Sequence, residues 1–232
     1  MNSLPKRRAL AASGALALAA VLAFAPLADA ATKKKTAKKK TTTATTVAAT
    51  KAAAVALDGS WKIATGSEAG YRVKEEFLAP PAKVEAVGRT GEVSGTVTIA
   101  KSGSGLVAKD IKMKVILTNL KSDQARRDGQ IKDRGLETNK FPETTFESTG
   151  EIAVPADGAD TTGKAKGKLT LHGVTKEVEI PVQAGLRNGK IEVVGALELT
   201  MADYKIDPPS IGGFVTVGDK GSIEFKLVLE KG

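Results

Sequence analysis

The chain has 232 residues with one histidine and no cysteine, which excludes disulfides, thiol chemistry and an ordinary zinc or copper site built from several such ligands. The net charge of +9 is confined to residues 1–51, where three basic residues and one acid precede residue 31 and seven lysines follow it. The remaining residues have no net charge, which weakens any case for nucleic-acid binding because that function needs a basic face.

Residues 1–30 have the order of parts that is typical of a signal peptide. A basic start at residues 6–8 is followed by an Ala/Leu-rich run over 9–27 and by Ala28-Asp29-Ala30, a small-x-small cleavage signal. An uncleaved membrane anchor is the alternative, but the run is mostly alanine and contains Pro26, so it would insert poorly. We therefore expect an exported protein that is periplasmic, bound to the cell envelope or secreted. The paired arginines leave open whether export uses the general or the twin-arginine route.

Residues 31–57 form a Lys/Thr/Ala-rich segment without periodic apolar positions. Such a segment cannot bury enough surface to offset its ordering entropy, so we predict a disordered tether. Its lysines could hold an anionic envelope surface, and a plain solubilising linker is the alternative interpretation. The lysines concerned are Lys33, Lys34, Lys35, Lys38, Lys39 and Lys40.

Residues 58–232 read as one all-β domain, because apolar and polar residues alternate with the period of a half-buried strand. The clearest runs are 93–99, 111–117, 178–182, 191–199 and 223–229. Turn signals separate the runs, among them His172-Gly173 and Asn188-Gly189, of which Asn-Gly is a strong hairpin signal. Many strands joined by short turns predict an antiparallel sandwich or barrel.

One charged stretch between Leu120 and Phe141 lacks this alternation and predicts a short helix. Ser122 or Asp123 is the expected cap, and the helix is expected to end near Gly135. The helix carries Arg127 and Asp128. An arginine here could bind a ligand head group as a bidentate partner, although such clusters more often pin a helix to a sheet edge.

Catalytic constellations are nearly absent from the sequence. The single histidine, His172, is predicted at the tip of a hairpin, where a surface residue is more common than a general base. Neither a phosphate-binding loop nor a calcium loop is present, and we expect no cofactor, no metal and no enzymatic activity. A hydrolase would have to use His172 or a pair of carboxylates.

Four segments together resemble the YceI-like family of exported lipid-binding proteins. They are "LKSDQARRDGQI", "FPETTFEST", "GKLTLHGVTKEVEIPV" and "VGDKGSIEFKLVLE", in this order, and the likeness covers about 59–230. The chain departs from typical members in its opening strands, "WKIATGSEAGYRVKEEF", which lack the family's histidines.

The resemblance implies an eight-stranded antiparallel lipocalin-like barrel with one short helical insertion between strands four and five. It also implies a polyisoprenoid or similar amphiphile, such as an isoprenoid quinone, inside the barrel, with Tyr71, Arg127 and Asp128 as candidate polar contacts. The inward-facing candidates for ligand contact are Val97, Ile99, Met113, Val115, Phe146, Leu169, Leu171, Ile180, Leu197, Leu199, Phe225 and Leu227.

A carrier or sequestering protein of the bacterial envelope is the function that this resemblance favours. The alternative is a structural or interaction module that is retained by its basic tether and has a packed, ligand-free barrel. Strand alternation is the same in a hollow and a filled barrel, so the sequence does not separate the two. A homodimer is compatible with the sequence.

Overall fold

The computed structural model describes residues 56–209 and 214–232. The predicted signal peptide and the predicted tether lie outside the described residues, except for Ala56 and Leu57 at the tether's end. In the part that is described, none of the helices has the length and apolar character needed to cross a membrane.

The described chain consists of eleven strands, one α-helix and one 3₁₀ helix. The sheet begins with β1 (Gly59–Ile63), β2 (Glu68–Leu78), β3 (Pro81–Thr90), β4 (Val93–Ser102) and β5 (Gly105–Ile116). Helix α1 (Ala125–Asp133) follows, and then β6 (Glu143–Ser148), β7 (Ile152–Val154), β8 (Thr161–Leu171) and β9 (Val174–Arg187). The chain ends with β10 (Lys190–Thr200), the 3₁₀ helix (Met201–Tyr204) and β11 (Val215–Lys231).

Eight of the strands close into an antiparallel ring, in the order β1-β4-β5-β6-β8-β9-β10-β11. The pairing of β11 with β1, from Trp61 opposite Lys231 to Ile63 opposite Leu229, closes the ring. Strand β2 pairs with the first half of β11, on the same edge that β1 occupies further along, and β3 pairs with β2; the short β7 pairs with β5. The predicted eight-stranded antiparallel barrel is therefore confirmed.

Helix α1 lies between β5 and β6, one strand later than the predicted position between strands four and five. Bends near Gly66 and Gly91 divide the first two long strands into β1 with β2 and β3 with β4, so the helix follows the third long strand of the barrel and the fifth numbered strand. Gly66 has φ +94°, a conformation that favours glycine. Five strands therefore precede the helix.

The hairpin signals of the sequence form the expected tight turns. His172 and Gly173 have φ of 51° and 71°, and Asn188 and Gly189 have φ of 51° and 77°. Positive φ at both central residues is the type I′ geometry, whose twist matches that of the flanking strands. The two turns join β8 to β9 and β9 to β10.

The predicted cap of helix α1 is wrong. The residue before the first helical turn is Gln124, and its side chain makes no capping hydrogen bond. Ser122 instead donates from its hydroxyl to a carboxylate oxygen of Asp128 at 2.7 Å, and from its backbone N–H to the same oxygen at 2.8 Å. Asp123 pairs with Arg127 one turn later. Both side chains thus bind residues within the helix rather than its free N–H groups.

Candidate functional site

The barrel interior is hollow at two levels, which we call the upper and lower chambers. Tyr71, Val115 and Leu199 are among the residues that line the upper chamber, at the end of the barrel near α1. Leu57, Val97 and Leu229 are among those that line the lower chamber, at the end where β1 begins. The upper chamber has a cavity volume of about 130 Å³ and the lower one about 120 Å³.

The two chambers meet at a waist of four residues that line both: Met113, Phe146, Ile180 and Phe225. Each chamber is close in size to the roughly 150 Å³ engineered apolar cavity of another protein that binds benzene. One chamber therefore has room for a short segment of a hydrocarbon chain, and a longer chain must pass the waist. Met113 is the most adaptable of the four, because its unbranched side chain has three rotatable bonds.

All twelve residues predicted to face inward line these chambers. Those that line only the upper chamber are Val115, Leu169, Leu171, Leu197 and Leu199. Those that line only the lower chamber are Val97, Ile99 and Leu227, and the remaining four form the waist. The structure thus brings the twelve together around one apolar interior, and their contact with a ligand stays a prediction.

Three aromatic rings lie over glycines of the neighbouring strand. A Cβ built at Gly195 would lie within 3.0 Å of three ring carbons of Phe225, and one built at Gly167 would lie within 2.8 Å of two ring carbons of Phe146. The ring of Tyr71 covers Gly88 in the same way. The absence of a side chain under each ring lets the ring lie against the barrel wall, so the glycines set how far the waist rings extend into the interior.

A buried ion pair joins helix α1 to the rim of the upper chamber. Arg127 donates from Nε to Glu75 Oε1 at 2.9 Å and from Nη2 to Oε2 at 2.8 Å, and the two side chains are only 12% and 6% exposed. The remaining Nη1 donates to Asp123 and, at 3.3 Å, to the hydroxyl of Ser122. The hydrogen bonds that Arg127 donates to the carboxylates of Glu75 and Asp123 raise its pKa further above the ordinary value, and burial opposes this rise. The ion pair holds α1 against β2. This is the arrangement expected if the arginine cluster pins the helix to the sheet instead of binding a ligand head group.

The other two predicted polar contacts differ in their placement. Tyr71 lines the upper chamber beside Arg127, and its buried hydroxyl has no hydrogen-bond partner within the described residues. Burial raises the pKa of Tyr71 well above 10, with the charge of Arg127 opposing the rise. Asp128 does not line either chamber, and its carboxylate accepts the hydrogen bonds from Ser122.

Several lining residues were not predicted from the sequence. The outer end of the upper chamber is covered by Ile131 and Leu136 of the helical segment and by Ile206 and Pro209 after the 3₁₀ helix. At the other end, Leu57 is buried against the lower chamber, and its carbonyl accepts a 2.8 Å hydrogen bond from the Trp61 indole. These residues lie outside regular alternation, so no strand pattern marks them.

His172 is buried, contrary to the predicted surface position at the hairpin tip. Its Nδ1 lies 3.0 Å from the carbonyl oxygen of Tyr204 and its Nε2 lies 2.8 Å from Glu137 Oε2. The ring also packs at 4.2 Å, centroid to centroid, against Phe141. The turn places the backbone at the hairpin tip, but the 3₁₀ helix and the segment after α1 cover the side chain. His172 lines neither chamber.

No group of three or more His, Cys, Asp or Glu side chains within 56–209 and 214–232 is arranged to hold a metal ion.

Comparison with known proteins connects this barrel to a family. The family model for the YceI-like domain matches residues 61–229. A UPF0312 protein of Vibrio parahaemolyticus is 34% identical over 106 residues, which cover 42% of this chain and 54% of that protein. The chain thus spans about half the length of this curated relative.

A solved structure with a TM-score above 0.5 has the same fold. A polyisoprenoid binding domain from Saccharophagus degradans, implicated in plant cell wall breakdown, is 19% identical with a TM-score of 0.53, and the match covers 74% of this chain and 98% of that domain. BcnA of Burkholderia cenocepacia is 20% identical with a TM-score of 0.49, over 68% of this chain and 95% of its own.

Proposed function

Since this chain belongs to the YceI-like domain family, we propose that its barrel binds an isoprenoid-like or other amphiphilic lipid and acts as a carrier or sequestering protein of the bacterial envelope. The observation that carries the proposal is the pair of apolar chambers that share one waist. A packed barrel without a ligand would fill this space with side chains. The polyisoprenoid-binding domain with the same fold supports the choice of ligand class.

The apolar lining is sufficient to bind such a chain. Each methylene that leaves water contributes about 0.8 kcal/mol, so a prenyl chain gains affinity with every unit that it buries. An isoprenoid chain is slender enough to pass through the waist when Met113 and the two phenylalanine rings adjust. The ligand enters the upper chamber and extends its apolar end into the lower one.

The polar end of the ligand stays at the upper chamber in this proposal. Tyr71 and Arg127 are the polar side chains there that the sequence had singled out, and the hydroxyl of Tyr71 has no hydrogen-bond partner among the described residues. Arg127 is neutralised by Glu75, so it offers an anion little attraction without breaking the ion pair. Asp128 acts indirectly, through Ser122, which also contacts Arg127.

Binding rather than catalysis is the activity that we propose. His172 is engaged by Glu137 and by the Tyr204 carbonyl and lies outside both chambers, so it is not available to a ligand inside the barrel. Export through the segment 1–30 would bring the carrier to the envelope, and the lysines of the tether would hold it at an anionic surface.

The test is uptake of a prenyl alcohol, such as farnesol, followed by native mass spectrometry. Leu197→Trp fills the upper chamber, and Val194→Trp places the same side chain on the outer face of the same strand. We expect Leu197→Trp to weaken binding at least about tenfold and Val194→Trp to leave it unchanged, with both variants folded by circular dichroism. Equal binding by the two variants would contradict an interior site.

A further inference from the structure

The hairpin between β2 and β3 carries an exposed apolar tip. Leu78, at the end of β2, is 55% exposed, and Phe214, immediately before β11, is 65% exposed. The turn between the strands adds Ala79, Pro80 and other exposed residues without a charged side chain. We call Leu78 and Phe214 with this turn the apolar tip.

Exposed large apolar side chains are concentrated at this place. Among the residues that the structure describes, the two further exposed large hydrophobic residues stand apart from each other and are less exposed: Val84 on β3 at 39% and Val194 on the outer wall of β10 at 43%. Single exposed apolar residues are normal on protein surfaces, but a cluster at one projecting turn marks an interaction site.

The apolar tip is continuous with the rim of the upper chamber. Glu75 and Val217 face each other across β2 and β11 and both line the chamber. The next pair on the same face is Phe77 opposite Val215, and beyond it the backbone N–H of Leu78 donates to the carbonyl oxygen of Phe214 at 2.9 Å. The tip therefore lies only a few residues beyond the chamber along the same two strands.

We propose that the apolar tip inserts into the surface of a lipid bilayer, where the barrel loads and releases its ligand. The choice of a bilayer rests on the proposed function, because an isoprenoid lipid dissolves in a membrane and not in water. A carrier of such a lipid has to meet the membrane next to its own opening. The tip is a projecting turn and not a broad face, and a stable protein interface would need about 800 Å² from each partner.

The charges around the tip decide what kind of membrane it needs. Lys74 and Lys83 flank the hairpin, and Glu76 and Glu85 balance them; Lys83 lies 3.4 Å from Glu76. The hairpin carries no excess of positive charge that would select anionic lipid. Insertion is therefore driven by apolar side chains and is insensitive to salt, whereas attraction through the tether lysines would be weakened by it.

The experiment is flotation of the mature chain with neutral phosphatidylcholine vesicles, at low and high salt. The variant Leu78→Ser/Phe214→Ser removes the two most exposed side chains of the tip, and Val194→Ser is the matched control on the barrel wall. We expect the control to partition like the wild type and the double variant to partition at least about 30-fold more weakly. Salt should change neither result.

Three outcomes would overturn the proposal. In the first, the wild type fails to float with neutral vesicles. In the second, the double variant floats as well as the wild type. In the third, sedimentation velocity shows that the tip joins two copies of the chain instead. Uptake of farnesol in the absence of vesicles is measured in parallel. The double variant should retain it, so loss of membrane docking is distinguished from failure of the lipid-binding function.

Discussion

The ring of Phe225 on β11 covers Gly195, its register partner on β10, and leaves no space for a Cβ at position 195. The φ of Gly195 is one that other residues adopt, so this glycine is needed for space and not for backbone freedom. Phe225 lines both chambers. The pair therefore controls how open the waist is.

Gly195→Ala should narrow the waist. The new methyl group pushes the Phe225 ring towards the interior, because Cε2 and Cε1 of the ring would lie only 2.9 and 3.0 Å away from it. We expect affinity for farnesol to fall about tenfold and affinity for prenol, which has a single isoprene unit, to change less, since only the shorter alcohol fits within the upper chamber. Competition binding with the two alcohols measures both.

Gly129→Ala is the control for this substitution. Gly129 lies in helix α1, and a Cβ there would meet nothing within 4 Å. The control should preserve the binding of both alcohols and stabilise the helix slightly. An equal effect of the two substitutions on farnesol binding would contradict the role assigned to the waist.

We expect Arg127 and Glu75 to be strongly coupled in their contributions to the free energy of unfolding. Arg127→Met leaves the nearly buried carboxylate of Glu75 without its partner, and we expect the free energy of unfolding to fall by about 3 kcal/mol. The double variant Glu75→Met/Arg127→Met removes both charges and should recover most of the loss. Urea unfolding of the wild type, the two single variants and the double variant completes a double-mutant cycle. If the losses in the free energy of unfolding of the two single variants simply add up in the double variant, the pair does not hold α1 to β2.

Glu224 should make stability depend on pH. Its carboxylate accepts hydrogen bonds from Arg72 at 2.6 Å and from Arg89 at 3.0 Å, and these contacts lower its pKa. Because the pKa of this carboxyl is lower in the folded than in the unfolded state, its ionisation stabilises the fold. The stabilisation is complete at pH values above the unfolded-state pKa of about 4.3, and it is lost as the pH falls through the folded-state pKa.

The variant Glu224→Gln should therefore be less stable than the wild type by about 1 kcal/mol near pH 7, and the difference should shrink below about pH 4. Urea unfolding across this pH range measures it. The same substitution at Glu198, which is exposed on β10, is the control. A difference that stays constant as the pH falls would rule out the carboxylate as its source.

His172→Ala should reduce stability and leave lipid binding intact. The substitution removes the contacts with Glu137 and the Tyr204 carbonyl and the packing on Phe141, and we expect a loss of about 1–3 kcal/mol. Thermal unfolding and farnesol binding are the two measurements. A folded variant that no longer binds farnesol would place His172 in the binding site after all.

Most of the fold could be predicted from the regular alternation of apolar and polar residues along the strands. Residues such as Leu197 and Leu199 repeat with period two, and in a closed barrel this period is enough to assign them to the interior. The Asn188-Gly189 turn was equally clear because its backbone conformation is a local property.

Features that depend on distant contacts were not predicted. Glu75 stands in an acidic pair on a strand, and its partner Arg127 lies 52 residues away on the helix. His172 has the local sequence of an exposed turn, and only packing against Phe141 buries it. The division of the interior into two chambers depends on how side chains from four strands meet, which alternation along any one strand does not describe.

The central claim is that the hollow barrel carries a lipid, and native mass spectrometry of the mature protein purified from its own host tests it most directly. Organic extraction of the same sample identifies what is bound. We expect a stoichiometric lipid of the prenyl class. A clean apoprotein that stays empty after incubation with isoprenoid quinones and prenyl alcohols would contradict the claim.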